Sequence, residues 1–169
     1  MQKPLSYKIA LTGILTALTI VLSIAETLII GAIPGVPPGV RLGLSNVCIM
    51  AAIVLLSTKA ALPIVLCKSL FVMFTRGFTA GIMAFAGTFA AFIVMALMIA
   101  FTKRSFIFIC VIAAVSHIFA QILTACILTE SFYTLYYLPV PLLTAVITGV
   151  ITGAVFTETI KKLDFVGKI

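Results

Sequence analysis

Apolar residues run along this chain in six blocks. Short stretches holding most of the charge, proline and glycine separate them. A helix that crosses a bilayer needs ~20 predominantly apolar residues. The pattern predicts helices over Tyr7 to Ile30, Leu42 to Ser57, Ala60 to Thr75, Thr79 to Phe101, Phe106 to Leu128 and Pro139 to Ile160. The second and third, at roughly 16 residues, fall short of that length. They extend into their loops or end inside a cavity, as short segments bounded by proline and glycine do in transporters. Pro63 is expected in the first turn of the third helix, where its lost N–H matters least.

The break between the first two blocks, PGVPPGVRLGLSN from Pro34 to Asn46, cannot be helical throughout, because proline removes backbone donors and glycine weakens a helix. It is a loop that delivers Arg41, Ser45 and Asn46 to a membrane edge, as a wall or lid of a small-molecule site. A second break, Thr129 to Tyr137, carries Glu130, Tyr133, Tyr136 and Tyr137. Tyrosine favours the membrane–water interface, so this loop marks a boundary.

Composition settles the solvent. The chain is 63% hydrophobic and 9% charged, with a mean hydropathy of +1.36. A soluble domain of this length needs far more polar surface. The expectation is an all-α integral membrane protein: one six-helix bundle in a single domain over residues 1–169. The first block is long enough to be an uncleaved spanning helix rather than a signal-peptide core. The net charge of +7 implies no nucleic-acid partner, because its basic residues lie between and beyond the apolar runs and set topology. Lys3, Lys8, Lys59, Lys103, Arg104, Lys161, Lys162 and Lys168 fall on one side of a six-helix path, and only Arg41 and Arg76 on the other. By the positive-inside rule both termini are cytoplasmic and the Pro/Gly loop is outside, in a bacterial plasma membrane.

Sorted by depth, Glu26, Arg41, Ser45, Asn46 and Arg76 fall at the outer end of the helices, and Lys68, His117 and Gln121 near the middle. His117 and Gln121 are one helical turn apart on one face. A charge inside a spanning helix costs a few kcal/mol, so Lys68 faces protein or water. These eight residues are the candidate binding set for a small solute with an anionic end. Each also has a structural reading. Lys68 pairs with Glu26, His117 and Gln121 hold helices together, Asn46 caps the second helix, and the arginines anchor at the interface. Gly13 and Ala17 make a small-xxx-small pair on the first helix, for packing inside the bundle or against another protein. Gly149 and Gly153 repeat the spacing on the sixth.

The four cysteines lie in separate apolar runs without C-x-x-C spacing, which reads as packing rather than a disulfide or a metal site. With one histidine and four acids there is no zinc-protease, nucleophile-elbow or nucleotide-binding motif. Mg²⁺-dependent diphosphate chemistry needs several carboxylates. The chain is therefore expected to be neither an enzyme by itself nor a holder of cofactors.

The run GVRLGLSN, Gly39 to Asn46, following a small-faced first helix in a six-helix chain, resembles the proteins named heptaprenyl diphosphate synthase component I, or Gx transporter proteins. That family in turn resembles the substrate-binding S components of energy-coupling factor (ECF) importers. The resemblance implies a bundle with an outward-facing pocket for a vitamin-like solute. It also implies docking through the first helix onto a membrane-embedded T subunit served by two cytoplasmic ATPases. S components dock through an A-x-x-x-A-type surface, to which Gly13-xxx-Ala17 is the nearest match, with glycine for the first alanine. The enzyme name implies another role, a noncatalytic membrane partner of a prenyl diphosphate synthase, since the aspartate-rich motifs of the catalytic subunits do not occur here.

Overall fold

A computed structural model describes residues 4–32, 43–102 and 105–166. Six α-helices follow one another: α1 (Leu5–Gly31), α2 (Leu44–Leu55), α3 (Thr58–Arg76), α4 (Phe78–Phe101), α5 (Phe106–Thr129) and α6 (Pro139–Val166). The described residues contain no strand. All the helices but α2 are long and apolar enough to cross a membrane. The structure is that of a multi-pass membrane bundle.

Five helices lie within two residues of their sequence-predicted bounds, and α6 runs six residues further, to Val166. The shortest, α2, has 12 residues. At the rise of an α-helix it is only ~18 Å long, against a hydrocarbon core of ~30 Å. Gly43 stops it at one end by taking a left-handed conformation, φ 70°, which glycine adopts without strain. At the other, Ser57 accepts a hydrogen bond from the Ala60 N–H at 3.2 Å. That cap starts α3 earlier than the pattern predicts, at Thr58. Pro63 consequently sits in the second turn of α3 rather than the first. The tyrosine-bearing connection is not a plain loop either, because Phe132–Tyr137 forms a 3-10 helix. Residues three apart eclipse in that geometry. It stacks Tyr133 on Tyr136 with ring centroids 6.4 Å apart.

α2 is the axis of the bundle. It packs against α1, α3, α4 and α6. Seven of its residues, from Ser45 to Ile53, are buried, and Ile49, Met50 and Ala52 are sealed completely. These four helices surround it, and apolar residues face outward, among them Ile14, Leu18 and Val21 of α1 and Leu143, Ile147 and Ile151 of α6. Very short connections at Leu56–Ser57 and Gly77 make α2, α3 and α4 antiparallel neighbours.

α5 and α6 also pack closely. A Cβ on Gly149 would lie 2.7 Å from the Val111 Cα, and one on Gly153 would lie 2.5 Å from the Ile107 Cα. The Gly149–Gly153 pair is thus an internal helix contact, the familiar use of small residues in lipid. Gly13 differs. No atom outside its own helix lies within 4 Å of a Cβ built there, and both it and Ala17 are exposed.

Candidate functional site

A polar cluster lies inside the half of the bundle that holds the α3–α4 turn and the start of α2. α1 contributes from one stripe, because Leu15, Thr19, Ser23 and Glu26 recur at helical spacing and are its four buried residues. α2 contributes Ser45 and Asn46 from its first turn, α3 contributes Lys68 from its middle, and α5 contributes His117 and Gln121. All six of these candidate residues are buried.

Glu26 and the start of α2 explain each other. Gly43 has no side chain to cap the helix. The Leu44 N–H instead donates to Oε1 of Glu26, eighteen residues earlier in the chain. A carboxylate at a helix N-terminus satisfies an orphan donor and faces the positive end of the macrodipole. Asn46 is therefore not the cap, contrary to the structural reading of the sequence. Its Oδ1 accepts from Lys68 Nζ at 3.4 Å. That contact spans the α2–α3 hairpin and places the ammonium beside the α2 first turn. Lys68 is 2% exposed. The cation in the middle of α3 is therefore directed into protein, as the cost of a charge in lipid requires.

On the opposite side, His117 packs on Gly87 of α4: a Cβ there would lie 3.0 Å from His117 Nε2 and 2.9 Å from the His117 carbonyl oxygen. Gly43, Asn46, Ala114, His117, Ile118, Ala145 and Thr148 line a small cavity of about 10 Å³. That is the room for one water molecule. The Ser45 and Thr88 hydroxyls are fully buried and have no hydrogen-bond partner among the described residues.

Two candidates do not join this group. Arg76, in the last turn of α3, is exposed on the surface. Arg41, together with the Pro/Gly stretch up to residue 42, lies outside the described residues. The sequence pattern also passed over Gly87 and Thr148. α4 is so uniformly small and apolar that its glycine carries no local signal, and Thr148 resembles any other helical threonine. Among the described residues no three of His, Cys, Asp and Glu come close enough to hold a metal ion.

The arrangement offers one buried ammonium, one buried carboxylate, an imidazole, two side-chain amides and a helix start, drawn from four helices. These groups can donate and accept hydrogen bonds and carry both signs of charge. Comparison with known proteins gives one result: the family model for heptaprenyl diphosphate synthase component I matches residues 15–159. No curated protein and no solved structure matches the chain.

Proposed function

The chain belongs to the heptaprenyl diphosphate synthase component I family, and we propose that it works as the substrate-binding membrane subunit of an ECF-type importer. The observation that carries this reading is the buried polar cluster. Lipid offers no hydrophobic drive for helix association, and a few interhelical hydrogen bonds suffice as glue. Six buried polar side chains from four helices, Glu26, Asn46 and Lys68 among them joined at the first turn of a short buried helix, exceed that need. Short helices bounded by glycine are a recurring feature of transporter sites, and because Glu26 already occupies the start of α2, the anionic group falls to Lys68.

In this reading both termini are cytoplasmic, in a bacterial plasma membrane, and the cluster occupies the outer half. Lys68 holds an anionic group of a vitamin-like solute. Asn46, His117 and Gln121 supply directional hydrogen bonds, and Ser45 has a hydroxyl in reserve. Glu26 keeps α2 in register. A solute of that size occupies a few hundred Å³, so binding widens the cavity between α2, α5 and α6. The exposed Gly13 and Ala17 face of α1 lets a T subunit approach closely, and two cytoplasmic ATPases drive the assembly.

The family's description favours a second reading, a noncatalytic membrane component of a heptaprenyl diphosphate synthase. Purification of the tagged chain from its own membranes in mild detergent separates the two. Recovery of a multi-helix membrane subunit with two ATPases supports the importer. Recovery of a soluble prenyl synthase instead overturns it. Once the solute is known, Lys68→Ala and Arg41→Ala should each weaken binding about tenfold or more in a bundle that still folds, since each removes a charge-assisted hydrogen bond. Unchanged affinity in both would refute the site.

A further inference from the structure

A groove of about 310 Å³ runs along the lipid-facing surface of the bundle between α3 and α4. Leu66, Leu70 and Met73 form one wall, and Gly81, Ile82 and Phe85 form the other. Its shape follows from how the helices meet. Gly77 alone joins them, and a Cβ on Gly81 would lie 2.5 Å from that of Met73. The helices touch at that level and part beyond it, where Leu66, Leu70 and Phe85 stay 44%, 49% and 39% exposed. From Leu66 to Met73 the wall is ~10 Å long.

The groove is apolar in chemistry as well as in composition. Ser69, its one hydroxyl, donates to the Val65 carbonyl at 2.8 Å. A hydrocarbon chain fits such a surface and a polar solute does not. The charge lies at one end. Arg76 follows Met73 by three residues on the same stripe, ~4.5 Å nearer the end of the helix, and its side chain is exposed. A guanidinium donates two parallel hydrogen bonds to a phosphate.

We propose that this groove holds one acyl chain of an anionic phospholipid of the surrounding bilayer, with the lipid phosphate on Arg76. The site is separate from the buried cluster and independent of what that cluster binds. It gives Arg76, which does not reach the cluster, a ligand of its own. A zwitterionic phospholipid of equal chain length fills the groove equally well but gains less from the arginine.

The test is native mass spectrometry of the detergent-purified full chain, titrated with phosphatidylglycerol and with phosphatidylcholine of matched chains. Phosphatidylglycerol should bind about fivefold tighter, the scale of one basic residue at a membrane surface. Arg76→Gln should erase that preference while leaving chain binding. Leu70→Trp, which fills the groove, should weaken both lipids, and Leu66→Trp does the same one turn away if Leu70→Trp does not fold. Equal binding of the two lipids by the unaltered chain, or an undiminished preference in Arg76→Gln, overturns the proposal. So does displacement of phosphatidylglycerol by a lower concentration of farnesyl diphosphate, which would assign the groove to a prenyl chain.

Discussion

Replacing Glu26 tests the contact on which the buried helix depends. Its carboxylate accepts from the Leu44 N–H across a gap of eighteen residues. A hydrogen bond to a charged acceptor contributes ~1.5–3 kcal/mol, against ~0.5–1.5 kcal/mol for a neutral one. The attraction of an anion to a helix N-terminus adds ~0.3–2 kcal/mol. Glu26→Gln keeps an oxygen at the same reach and loses the charge, so it should cost about 1 kcal/mol. Glu26→Ala removes the acceptor and leaves a half-buried donor without that partner, so it should cost about 3 kcal/mol. At ~2–4 °C per kcal/mol for a domain of this size, the melting temperature should fall by roughly 3 °C and roughly 9 °C respectively. The assay is thermal unfolding in mild detergent, followed by a thiol-reactive dye that reports exposure of Cys48, Cys110 and Cys126. These three are buried, whereas Cys67 is exposed and is first changed to alanine. Equal losses in the two variants would show that charge plays no part. Melting within about 1 °C of the parent in both, well under the shift expected for a lost cap, would refute capping by Glu26.

Gly153→Ala should lower the melting temperature, because the new Cβ meets the α5 backbone at Ile107. Overpacking at ~1–3 kcal/mol outweighs the ~1 kcal/mol that alanine gains in helix propensity. Gly13→Ala meets nothing and should raise it slightly, so the same dye assay must show opposite signs. A cysteine at Tyr133, on the 3-10 helix, should react with an impermeant maleimide added to intact cells, and one at Lys59 only after the membrane is opened. The reverse pattern would put the polar cluster in the cytoplasmic half and remove the case for capture from outside.

Length and hydropathy alone place α1 to α5 within two residues at each end and the start of α6 as well, because a helix is the simplest way for a chain to satisfy its backbone in lipid. The cost of a charge in hydrocarbon is equally local, so burial of Lys68 follows from its position in the middle of an apolar run. Clustering of basic residues between blocks is visible on the same terms. The central place of α2 is not visible. A bundle interior and a lipid tail are almost equally apolar, so periodicity does not separate a helix facing bilayer from one surrounded by other helices. Only the packing of four neighbours around Ile49, Met50 and Ala52 decides that. The same holds for contacts between residues far apart in the chain. Glu26 caps a helix eighteen residues away, and Gly87 makes room for His117 thirty residues on. Arg76 turns outward at the end of the helix whose middle sends Lys68 inward. Local sequence specifies how far each side chain lies along its helix. The direction it faces depends on which helices pack around it, and that is a property of the assembled bundle.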